Sequence, residues 1–164
     1  MRLLLDTNVV VSALLWRGTP YRLLAAIRER GDVQLVTSIT LLDELADVLA
    51  RPFAAQRLAM IGRTVRDVVA DYVELVELVE PAKVPRVVLG DVDDDQVIAA
   101  AVAARVDLIV TGDRRHLLPI GIHDGIAIVD AGEAVRRITT ERRLIRAPPR
   151  RDEIQPEGGP PDMD

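Results

Sequence analysis

Leu3-Leu4-Leu5 is an unbroken apolar run that stops at Asp6-Thr7-Asn8. A run with no polar alternation predicts a short strand covered on both faces. Val9 to Trp16 predicts a short helix, or at least a stretch of buried apolar chain. Thr19-Pro20 predicts the next helix start, with Thr19 as N-cap and Pro20 at the first helical position. Tyr21, Leu23, Leu24 and Ile27 are its apolar stripe, and Gly31 its stop. Gln34 to Thr37 predicts a second strand, and Ser38 is placed to cap a helix over Ile39 to Leu49. In that helix Leu41, Leu42, Leu45, Val48 and Leu49 share one arc, with Asp43 and Asp47 opposite. Glu44 falls at the edge of the arc, facing a cleft rather than open solvent.

Residues 51–69 continue a helical pattern rich in Arg, and residues 71–80 pass from helix into a strand near Val76 to Val79. Pro81 and Pro85 end it. Asp93 or Asp94 caps an alanine-rich helix that runs to about Ala104. Asp107 to Thr111 is a clear strand, ended by Gly112-Asp113, and Ala127 to Val129 is another, followed by a helix over Glu133 to Ile138. Strands alternating with helices predict an α/β fold around a parallel sheet. From Arg146 onward Pro148, Pro149, Pro156, Pro160 and Pro161 supply five of the ten prolines. The division expected is therefore a folded domain over 1–145 and a disordered tail over 146–164.

Composition narrows the setting. The chain has 164 residues, 49% of them hydrophobic and 29% charged, which suits one soluble domain. Aromatics make up only 2%, so Leu, Val, Ile and Ala must build the core. Cys is absent, which removes disulfides and thiolate metal sites. No signal peptide and no apolar run of membrane-spanning length is present, and a cytoplasmic protein is expected. The net charge of −5 provides no basic footprint for nucleic acid, so such contact needs local patches or a bound cation.

The candidate chemistry is carboxylate chemistry. Asp91, Asp93, Asp94 and Asp95 stand within five positions, more than capping requires. In a parallel sheet, sites form beyond the carboxyl ends of the strands, which is where Asp6 and Asp113 fall. A helix over 95–104 descends roughly 15 Å. A strand over 107–111 climbs back about 17 Å, so Asp95 and Asp113 finish at one level. Glu44 joins if its helix starts at the same edge. Converging carboxylates repel unless some hold protons or a cation neutralises them. Oxygen-only ligands without His or Cys point to Mg²⁺ or Mn²⁺ rather than Zn²⁺. Thr7, Asn8 and Thr111 are placed to hold carboxylate rotamers or a water.

The ordered set Leu-Leu-Leu-Asp6-Thr7-Asn8-Val-Val-Val-Ser12, Glu44, Asp94-Asp95-Gln-Val-Ile-Ala-Ala-Ala and Ile-Val-Thr111-Gly112-Asp113 resembles the PIN-domain nucleases, among them the toxins of bacterial toxin–antitoxin modules. The resemblance covers about residues 1–140. It implies a three-layer α/β/α sandwich around a central parallel sheet. It further implies a Mg²⁺- or Mn²⁺-dependent endoribonuclease that uses a metal-activated water and leaves 5′-phosphate and 3′-hydroxyl ends. A homodimer and a cognate antitoxin are implied as well. By motif match Asp6, Glu44, Asp95 and Asp113 take the acidic, metal-holding positions, with Asp94 an adjacent candidate and Asp91 and Asp93 left to loop and cap. Where near relatives carry Arg-Asp-Pro ahead of the acidic pair, this chain has Gly90-Asp91-Val92.

Each of these residues also has a plainer role. Asp6 and Asp113 suit turns after strands, Asp94 and Asp95 suit a helix N-terminus, and Ser12 suits close packing. Arg17, Arg114 and Arg115 are candidates to contact RNA phosphates, and Trp16 to stack a base, though packing accounts for Trp16 better. His116 follows two arginines and reads as part of a solvated basic turn, with general-acid work the sharper alternative. Two competing functions remain: an Asp-nucleophile phosphohydrolase, disfavoured because Asn8 stands where a second acid is usual, and a non-catalytic RNA- or partner-binding module. A dinucleotide site is disfavoured because no Gly-x-Gly-x-x-Gly follows the first strand.

Overall fold

The computed structural model describes residues 1–81 and 92–146. Six strands form one sheet: β1 (Arg2–Leu5), β2 (Gln34–Thr37), β3 (Val76–Leu78), β4 (Leu108–Val110), β5 (Ile122–His123) and β6 (Ile126–Val129). Seven helices accompany them: α1 (Thr7–Leu15), α2 (Thr19–Arg28), α3 (Ile39–Leu49), α4 (Pro52–Met60), α5 (Val65–Val73), α6 (Val92–Ala104) and α7 (Ala131–Arg146). The strand order is β3-β2-β1-β4-β6-β5. All neighbouring pairs are parallel except β5 with β6.

The Leu3-Leu4-Leu5 run is buried because each face of β1 meets its own core. Leu3 and Leu5 join Leu35, Leu108 and Val110 in a core with α1, α2, α4, α5 and α7. Leu4, Val36, Ile109 and Ile128 point the other way, against Val97, Ile98, Ala100 and Ala101 of α6. The alanines let α6 lie close to the sheet. The result is the expected α/β/α sandwich, with α6 as the main helix of one layer. Helix α3 matches its expected bounds and cap, the Ser38 hydroxyl accepting from the Leu41 amide at 3.2 Å.

Five details depart from the sequence reading, the last of them the length of the final helix. The helix expected over 51–69 is two helices. Gly62 adopts φ 68°, Arg63 N–H donates to the Leu58 carbonyl and Gly62 N–H to that of Ala59, which is a Schellman stop. Thr64 and Asp67 then form a capping box that starts α5. Second, Gly18 rather than Thr19 is the N-cap of α2, and Pro20 sits inside the first turn, where its missing N–H costs nothing. Third, the sheet is not wholly parallel. Asp124 and Gly125, with φ 48° and 79°, make the two-residue turn of a β5–β6 hairpin at one edge. Fourth, α6 begins at Val92, so Asp93, Asp94 and Asp95 all lie in its first turn instead of one of them standing ahead of it as a cap.

Helix α7 is longer than the expected 133–138 and is capped by Asp130, whose Oδ1 accepts from the Glu133 amide at 2.8 Å. The expectations for Gly90, Asp91 and the tail beyond Arg146 fall outside the described residues.

Candidate active site

The order of connection reverses between β1 and β4: β2 and β3 lie to one side of β1, and β4 and β6 to the other. Such a switch point opens a crevice at the carboxyl ends of the two central strands. Leu5 is in register with Val110, and the Asp6 amide donates to the Val110 carbonyl at 2.9 Å. Asp6 and Thr111 therefore emerge side by side at that crevice.

Asp6 is buried, and the Thr111 hydroxyl donates to its Oδ2 at 2.7 Å. Burial raises the Asp6 carboxyl above the ordinary aspartate range, and the charge of Asp113 adds to this. The Thr111 hydroxyl and the Thr7 and Asn8 amides work against it. The Thr111 hydroxyl oxygen in turn accepts from the Asp113 amide at 3.0 Å, so one threonine ties both acids to the end of β4.

Glu44, half-buried on α3, accepts from the Thr7 hydroxyl at 2.6 Å. Its carboxyl is also raised, first by burial and then by the charges of Asp93 and Asp6, against the Thr7 hydrogen bond and Arg51. Asp93, assigned to the cap by the sequence reading, thus lies close enough for its charge to act on Glu44.

The tightest group is Asp94, Asp113 and His116, whose ligand atoms lie within 4.8 Å of one another. His116 Nδ1 is 3.3 Å from Asp94 Oδ2 and 3.1 Å from Asp113 Oδ2. Burial pushes Asp113 up, but the Arg115 and His116 amides, the His116 ring and a hydrogen bond with Asp94 together hold it below the usual aspartate range. Asp94 is buried, whereas Asp95 is half-buried and outside this trio. Successive helical residues diverge by about 100°, so three consecutive aspartates cannot share one direction. The start of α6 at Val92 selects which of them faces Asp113.

His116, read from the sequence as part of a solvated basic turn with general-acid work as the alternative, is exposed and lies beside two acids. Its ring turns in toward two acids rather than out with Arg114 and Arg115. The only signal in the chain was its spacing of three from Asp113, which brings the ring back over that carboxylate. Arg17 lies past the end of α1, its guanidinium 5.0 Å from the centre of the Tyr21 ring. Trp16 stacks on Phe53 with ring centroids 6.4 Å apart. Arg114 and Arg115 are exposed beside the acid group, and Asn8 is exposed at the start of α1. Among the described residues, no helix is long and apolar enough to cross a membrane.

No curated protein matches the sequence closely enough to count as a relative. Among solved structures, VapBC2 from Rickettsia felis, bound to a DNA fragment from their promoter, contains a chain of similar fold. The TM-score is 0.55 at 13% identity, over 79% of this chain and 98% of that one. The PIN domain model matches residues 2–115, more than half of the chain and every acid of the cluster, and the chain belongs to the PIN domain family.

Proposed function

We propose that this protein is a divalent-metal-dependent endoribonuclease acting as the toxin of a toxin–antitoxin pair. The observation that carries the reading is the Asp94, Asp113 and His116 group, backed by Asp6 through Thr111 and by Glu44 through Thr7. Buried carboxyls raised by burial and by one another form an electrostatic vacancy that a cation relieves. The donor set fits a hard divalent ion, and the imidazole nitrogen extends the choice from Mg²⁺ toward Mn²⁺. Asp6, Asp94, Asp113 and His116 would hold it, with Glu44 and Asp95 as further carboxylates. When bound, such an ion lowers the pKa of water and offsets charge on phosphoryl oxygens.

The chain's own residues do the rest. Thr111 and Thr7 fix the Asp6 and Glu44 rotamers, which keeps the acids from turning away from each other. The Arg115 and His116 amides do the same for Asp113. Arg114 and Arg115, on the rim, supply the local positive charge that a chain of net charge −5 otherwise lacks. RNA as substrate, a homodimer and an antitoxin partner follow from the family resemblance. The structural neighbour, described with a DNA fragment from the promoter of its own pair, supports the paired arrangement.

The test is cleavage of RNA by purified protein with Mn²⁺ or Mg²⁺, freed of any bound inhibitor, beside Asp6→Asn. Cleavage by the wild type alone is expected. No cleavage by either protein sinks the reading.

A further inference from the structure

A cavity about 450 Å³ in volume adjoins the acid group, lined by residues of α1, α2, the end of β4 and the start of α7 and by none of α6. It shares Thr111 with that group, and its walls include Asn8 and Ser12 of α1, Thr19 of α2, Arg114, and Asp130 and Gly132 at the start of α7. We propose that this cavity is a nucleotide subsite, seating the ribose and base next to the phosphodiester at the acid group. The inference rests on the nuclease reading and deepens it.

Position is the first reason. Asn8 is two residues from Asp6, and Thr111 is its hydrogen-bond partner. A ligand in the cavity is therefore contiguous with one at the acids. Chemistry is the second. The walls present the Asn8 amide and the Ser12 hydroxyl, with the Thr111 and Thr19 hydroxyls already bonded to Asp6 and Arg22, which matches the mixed donors and acceptors of a ribose and a base edge. Asp130 uses Oδ1 to cap α7, and its Oδ2 has no partner among the described residues, which leaves an acceptor for a ribose hydroxyl or an exocyclic amine. The Arg114 guanidinium likewise has no hydrogen bond or ion pair among the described residues, and Arg114 lines the cavity one residue from Asp113, within the chain segment from which a connecting phosphate could be reached. Size is the third reason: the volume falls in the ~300–1,000 Å³ range of small-molecule sites.

Gly132 sets the available room. A Cβ built there would meet Asp130 Oδ1 at 3.3 Å and Arg136 Nη1 at 3.7 Å, both of them wall residues, so a larger side chain must crowd that wall of the cavity.

The experiment is an amide NMR titration of the full chain with ribonucleoside 5′-monophosphates and their 2′-deoxy counterparts, in the presence of Mg²⁺. Shifts at Asn8, Ser12, Gly112 and Gly132 are expected, with tighter binding of the ribo forms. Gly132→Val should weaken nucleotide binding about tenfold while Mg²⁺ affinity stays the same. Ser12→Val, on the opposite wall, should do likewise and serves if Gly132→Val does not fold. Nucleotide affinity unchanged in the folded variants, or shifts confined to the region of Asp94 and His116, overturns the subsite. Because binding is read without turnover, that failure is separate from failure of the wild type to cleave RNA.

Discussion

The Thr111 hydroxyl donates to Asp6 Oδ2 at 2.7 Å, joining the ends of two strands that lie 105 residues apart in the chain. The same oxygen accepts from the Asp113 amide. The bond supports a buried carboxylate and sets its direction at once. Thr111→Val keeps the shape and removes both roles. Mn²⁺ affinity, measured by titration, is expected to fall by about 10–100-fold, the usual cost of losing a group that orients a metal ligand. Affinity within twofold of wild type would show that Asp6 needs no such support.

Asp94 and Asp95 separate cleanly by substitution. Asp94 belongs to the trio with Asp113 and His116, and Asp95 does not. Asp94→Asn is expected to lower kcat/KM on RNA by about two orders of magnitude, or ~2.7 kcal/mol of transition-state stabilisation. Asp95→Asn should cost less than about tenfold. The reverse ranking would contradict the orientation of α6.

The raised carboxyls of Asp6 and Glu44 give the metal-free protein a pH dependence of definite sign. A carboxyl raised in the folded state contributes stability that is full below its unfolded pKa and is lost as pH rises through the folded value. Asp113 is lowered and acts oppositely, its contribution lost as pH falls. With chelator present, the melting temperature of Asp6→Asn relative to wild type is expected to climb as pH rises above the ordinary aspartate range. Mg²⁺ or Mn²⁺ should raise the wild type more than the variant at the upper end. A difference that stays flat across the range means that Asp6 is not strained by its charge.

Tyr72 tests the core independently of the site. It is buried, and its hydroxyl has no hydrogen-bond partner among the described residues, while burial drives its pKa upward. Tyr72→Phe removes an unsatisfied polar atom without opening a cavity. Chemical denaturation is expected to show equal or higher stability, by about 1–3 kcal/mol at most. A clear loss would reveal a partner for the hydroxyl.

Much of the fold was legible because local rules dominate there. The Leu3-Leu4-Leu5 run, the arc of Leu41, Leu45 and Val48, and the alanines after Asp95 each state which faces are covered. The misses at Gly62 and at Asp124-Gly125 are also local: a glycine stop and a two-residue hairpin turn are written in the chain but compete with the apolar periodicity around them. The tail beyond residue 146 lies outside the described residues.

By itself, the sequence determined the strand–helix alternation, the family, and the set of acids near the carboxyl ends of the strands. Periodicity and ordered motifs are properties of neighbouring residues, so they can be read without coordinates. Only the tertiary structure decided how those acids are shared out. Asp94 meets Asp113 and His116, Asp93 influences Glu44, and Thr111 holds Asp6. Those pairings depend on where α6 begins and on the β1–β4 register. A one-residue change in the start of a helix turns every side chain by about 100°, and no local pattern in a run of aspartates specifies that starting point.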